Sequence, residues 1–80
     1  MRRLGTLERL GQGKGLVALE ADELPAIGAD AVDQQLQEVG TVVDVIGPVD
    51  RPWVVLDPVD DIDLGAHLGA RLYVREDDHR

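Results

Sequence analysis

Two histidines, His67 and His79, eleven aspartates and a glycine run around a single lysine are the residues of this 80-residue chain whose types could do chemistry. Covalent catalysis needs a hydroxyl, thiol or amine held beside a base. The chain has no Cys and no Ser, and Thr6, Thr41 and Tyr73 are its only hydroxyl side chains, so no nucleophile and base can be paired into a triad. His67 sits in Leu64-Gly65-Ala66-His67-Leu68, where its spacing fits a solvated loop residue better than a metal ligand or general base. His79 falls in a polar end segment. Asp57, Asp60, Asp61 and Asp63 before Gly65 put carboxylates near a turn glycine, as calcium loops do. The D-x-D-x-D-G order is missing, however, and the closing acid of such a loop is absent, which leaves a solvated acidic loop. Gly11-Gln12-Gly13-Lys14-Gly15 lacks both the spacing and the Lys-Ser or Lys-Thr pair of a phosphate-binding loop and reads as a hairpin turn. No cofactor and no metal are expected.

Charge narrows the partners. Sixteen acidic residues against eight basic ones give a net charge of -8. Affinity for a phosphate backbone comes from Lys and Arg displacing counterions, and here Lys14 stands alone while the arginines are scattered. Strong direct nucleic-acid binding is therefore not expected. So acidic a surface suits a cytoplasm of high salt, where screening relieves self-repulsion, and points to a halophilic source. No stretch approaches membrane-spanning length and the start, Met1-Arg2-Arg3-Leu4-Gly5, has no long apolar run, so a cytoplasmic setting is expected.

The elements that would carry these residues are short strands. At 80 residues the chain has one small core, and with one Trp, one Tyr and no Phe that core must be aliphatic. Leu4, Leu7 and Leu10 have helical spacing, but Gly5 and the glycines after Leu10 favour a strand over residues 3–10. A turn at Gly11–Gly15 leads to a return strand, Leu16 to Glu20, and the segment 21–25, ending in Pro25, is a linker. Residues 27–33 can form a short strand and 34–38 a turn. Val39-Gly40-Thr41-Val42-Val43-Asp44-Val45-Ile46 is the clearest strand, and strict alternation would put Val39, Thr41, Val43 and Val45 on one face. Gly47-Pro48-Val49-Asp50-Arg51-Pro52 breaks it, and a strand resumes over 53–57. A short turn over 64–68 precedes a closing strand over 70–75. This describes an all-β fold, a small six-stranded closed or nearly closed barrel, as one domain over 1–75 with a polar tail at 76–80.

The one cluster suited to a function is apolar. Ile46, Gly47, Pro48, Val49, Pro52 and Trp53 put aliphatic and aromatic groups on a Pro-stiffened loop, which loses little entropy on docking to another protein. Trp53 can equally be a core plug, with the prolines only shaping a turn.

Val39-Gly40-Thr41-Val42-Val43-Asp44-Val45-Ile46-Gly47-Pro48-Val49 followed by Pro52-Trp53-Val54 also resembles the signature of the GAR family of box H/ACA ribonucleoprotein subunits. Met1-Arg2-Arg3-Leu4-Gly5, Pro25-Ala26-Ile27-Gly28 with Val32-Asp33, and Leu68-Gly69 with Leu72-Tyr73-Val74 are similar to archaeal members in order and spacing. The resemblance implies a barrel of the translation-factor-domain type and a non-catalytic role in RNA-guided pseudouridylation of ribosomal RNA. In that role the subunit docks on a dyskerin-like pseudouridine synthase, meets the guide RNA only indirectly, and assists substrate loading and product release. It implies that Val45, Ile46, Gly47, Pro48, Val49, Pro52 and Trp53 lie at or shape the partner-facing surface, which moves Trp53 from plug to interface. The Gly-Arg-rich tails of eukaryotic members are missing. A PRC-type barrel adaptor of another RNA-maturation protein shares Gly-x-Val-x-Asp strands and is the alternative, although it would lack the Gly-Pro-Val and Pro-Trp pairing.

Overall fold

A computed structural model of the chain describes residues 1–75; the expected polar tail and His79 lie outside them. Six strands are present: β1 (Arg2–Gly11), β2 (Lys14–Leu19), β3 (Asp30–Val32), β4 (Glu38–Ile46), β5 (Trp53–Pro58) and β6 (Arg71–Val74). They close an antiparallel barrel in the order β1-β2-β5-β4-β3-β6. The first and last strands pair, Arg2 opposite Val74, so closure rather than an added layer removes most of the sheet edge.

The β1–β2 hairpin turns on two residues, Gln12 and Gly13, both with positive φ (54° and 78°), between the paired Gly11 and Lys14. Two left-handed residues match the twist of the flanking strands, which is why a glycine run serves here. The β2–β3 connection spans residues 20–29 and so continues past the linker expected to end at Pro25, and a 3₁₀ turn, Leu64–His67, leads into β6.

The core is aliphatic: Leu4, Leu7, Val17, Ala31, Val39, Val42, Val54, Leu56, Leu64, Leu72 and Val74 form one buried cluster. The helical spacing of Leu4 and Leu7 is reconciled with a strand by an irregularity between Arg3 and Gly5, where β1 gains a residue over β6. Next to it Gly5 passes so close to β2 that a Cβ would lie 1.9 Å from the Ala18 carbonyl oxygen, so only glycine fits this crossing. Leu10, third in that series, is exposed instead.

Strict alternation fails in β4. Val39 is skipped in the pairing with β3, where Val32 faces Glu38 and Ala31 faces Gly40, and Val43 is skipped in the pairing with β5, where Val42 faces Leu56 and Asp44 faces Val55. Each extra residue shifts the side-chain parity. Val39 and Val42 are consequently both in the core, and Val43, expected beside Val39, is exposed. β3 is also shorter than the strand expected over 27–33, because residues before Asp30 serve a turn: the Ala29 N–H donates to the Ala26 carbonyl.

Candidate protein-docking site

The loop from Gly47 to Pro52 joins β4 to β5 at one end of the barrel. Gly47 has φ of 92°, and a Cβ there would meet Trp53 Cδ1 at 3.2 Å, so both its backbone and the neighbouring ring demand glycine. Pro48 to Arg51 then form a turn closed by the Arg51 N–H donating to the Pro48 carbonyl at 3.1 Å. At its tip Val49 is 98% exposed, and Ile46, the last residue of β4, is 44% exposed. Gly47 and Pro48 are exposed as well, while Val45, Pro52 and Trp53 are half-buried.

Trp53 is not a core plug. The buried cluster excludes it, and it lies on the barrel wall with the Arg9 guanidinium 5.6 Å from its ring centroid. A cation over an indole face is attractive, so Arg9 holds the ring against the wall. Trp53, Pro52 and Pro48 together with Ala18 and Leu19 line a groove of about 410 Å³, which Glu8, Asp50 and Arg51 line as well. Of the seven residues expected at a docking surface, Ile46, Gly47, Pro48 and Val49 are exposed to solvent and the other three only in part. A fixed loop bearing aliphatic tips beside an aromatic ring can anchor a protein surface.

A second cluster was hidden in the sequence. Asp33, only 8% exposed, follows β3 and accepts N–H groups from Gln35 (2.8 Å) and Gln37 (2.9 Å) on one carboxylate oxygen. The other oxygen lies 3.3 Å from His67 Nε2, while His67 Nδ1 lies 3.2 Å from the Asp63 carbonyl oxygen. His67 is therefore not the solvated loop residue its sequence context suggested: its side chain is 16% exposed and ties the 3₁₀ turn to the end of β3. Burial alone would raise the Asp33 carboxyl pKa, but the donors from Gln37 and Gln35 and the nearby His67 outweigh it and hold the group below its ordinary value. The only signal for this pairing was an Asp before a polar turn, since the two residues stand 34 positions apart. The arrangement is a clasp, with both carboxylate oxygens of Asp33 engaged by protein groups.

The acids Asp60, Asp61 and Asp63 lie on the connection between β5 and the 3₁₀ turn, where Asp63 accepts the Gly65 N–H. Among the described residues no group of three or more His, Asp or Glu side chains is placed to hold a metal ion. Lys14 of the glycine run is paired with Asp57, 3.5 Å away. Among the described residues no helix is long and apolar enough to cross a membrane.

No family model matches the sequence, and no curated protein matches it. Among solved structures, one described as the Gar1 domain of NAf1 is similar over 91% of this chain and 79% of its own, with a TM-score of 0.74 and 15% sequence identity. At that identity the likeness is one of fold: the closed six-stranded barrel is shared with a Gar1 domain.

Proposed function

We propose that this barrel is a non-catalytic accessory subunit of an RNA-guided pseudouridine synthase of the box H/ACA kind. It docks on the dyskerin-like catalytic subunit through the β4–β5 loop and assists substrate loading and product release. The observation that carries this reading is the coincidence of two independent features. The barrel has the fold of a Gar1 domain, and the segment resembling the GAR signature is the one that exposes Ile46 and Val49 beside Trp53. Exposed aliphatic groups on a closed turn cost solvation in the free protein and recover it on docking.

The charge distribution supports the same role. A subunit with a net charge of -8 gains nothing from phosphate contacts, whereas a protein-docked subunit does not need them. Isomerisation of uridine then belongs wholly to the partner. The cytoplasm of a halophilic archaeon is the setting that fits this composition.

The test is association with the purified synthase at high salt, where surface electrostatics are screened and apolar docking dominates. Ile46→Asp and Val49→Asp should each weaken capture by about tenfold or more, the effect of removing an apolar anchor worth roughly 1.4 kcal/mol or more. Capture unchanged in both variants would sink the proposal.

A further inference from the structure

β4 has nine residues, whereas β3, its neighbour on one side, has three. Pairing on that side runs only as far as Val42, whose N–H donates to the Ala29 carbonyl at 2.9 Å and whose carbonyl accepts the Gly28 N–H at 2.7 Å. Beyond it, Asp44, Val45 and Ile46 pair with Val55, Val54 and Trp53 of β5, and among the described residues no strand lies on their other side. Val45 reports the direction of that free edge. Its N–H is held by the exposed carboxylate of the preceding residue, Asp44 Oδ1 at 2.8 Å, rather than by a neighbouring strand.

A main-chain donor parked on its neighbour's exposed side chain can change partner at little cost, because one exposed hydrogen bond is exchanged for another. We propose that the outer half of β4, Val43–Ile46, receives an extended basic segment of the synthase by strand addition. The Val45 main chain enters the new ladder, and Asp44, released from it, pairs with a Lys or Arg of the incoming strand. This rests on the reading that the chain docks on a synthase, and specifies how.

Three features select that occupant. An open row of main-chain groups is complementary only to extended backbone. Exposed Ile27, just before Gly28, and Ile46, 63% and 44% exposed, flank the edge and offer apolar contacts to alternate side chains of an added strand. The carboxylate of Asp44 and the net charge of -8 favour a basic strand and oppose a second copy of this chain. A bulge and an acid at an edge are also the devices by which sheets avoid pairing with themselves, and Val43 and Asp44 supply both.

Amide hydrogen exchange, read by NMR on the full chain with and without the purified dyskerin-like synthase, tests this. Strand addition slows exchange at Val45 by about tenfold or more on binding, as protection by a new ladder bond requires. Val45→Pro, tolerated where the N–H has no ladder partner, should weaken association by about tenfold while leaving the melting temperature nearly unchanged. If that variant does not fold, exchange in the unaltered chain decides alone. Association with Val45 exchange unchanged overturns strand addition and leaves docking standing, whereas no association at all overturns docking itself. Protection of Val45 that grows with the concentration of the chain alone, without synthase, assigns the edge to a second copy and also overturns the proposal.

Discussion

The two halves of β4 each carry one acid and three β-branched residues, in opposite circumstances. Val39 and Val42 in the first half are fully buried, in a stretch that has β5 on one side and β3 with the Gly28–Ala29 backbone leading into it on the other, whereas Val43 and Ile46 in the second are exposed and flanked by β5 alone. β-branched residues suit either setting, so propensity does not distinguish them. The difference lies in the neighbour: β3 stops after three residues, and the strand it fails to cover is left as interaction surface. A strand's function here is set by the length of the strand beside it.

The largest difference between the halves is expected when a charge is placed in each. Val42→Asp buries an uncompensated carboxylate and should cost on the order of 4 kcal/mol or more, enough to unfold most of the population, whereas Val43→Asp should stay within about 0.5 kcal/mol. Denaturant melts of the two variants, one residue apart, check this. Equal losses would mean that the halves are not energetically distinct.

A smaller effect is expected where the covered half begins. Asp33→Ala removes the acceptor for two turn N–H groups and the partner of His67, and should cost about 1–3 kcal/mol. Because the folded pKa of Asp33 lies below its unfolded value, the folded state releases this proton more readily. Its contribution is complete above the ordinary carboxylate range and is lost as pH falls through the depressed folded value. Acid melts should therefore show a stability loss below about pH 4 that is absent from Asp33→Ala. A smaller effect still is expected beside the exposed half: Arg9→Ala removes the cation over Trp53 and should lower stability by about 0.5–1 kcal/mol while increasing the mobility of the indole, seen in its fluorescence anisotropy.

The strands were legible because Gly and Pro punctuate them, and the barrel followed from their number and shortness. The aliphatic core was legible from composition. Which valines enter that core was not, since the bulges at Val39 and Val43 reverse parity and arise from pairing with two different neighbours, which one strand's pattern does not contain. The Asp33–His67 clasp was illegible for a related reason: closure of the ring, and not local spacing, brings the residues together. The apolar loop was visible as a cluster of residue types. The free edge beside it was not, because an unpaired strand half is defined by what a neighbour lacks.

The pairing of Arg2 with Val74 has a consequence for how the molecule comes to exist. The ring closes only when nearly all of the described chain is free to fold, and a barrel held shut by contacts between its extremes carries a high contact order. Folding in milliseconds to seconds is the expectation for such a topology, rather than the microseconds open to helical bundles. During synthesis the first hairpin must wait for β6 to emerge, with its leucines unsheltered in the interval. The same closure sets residues 2 and 74 side by side, so a short bridge between them, with a new opening at the Gln12–Gly13 turn, would give a rearranged chain that keeps every strand neighbour.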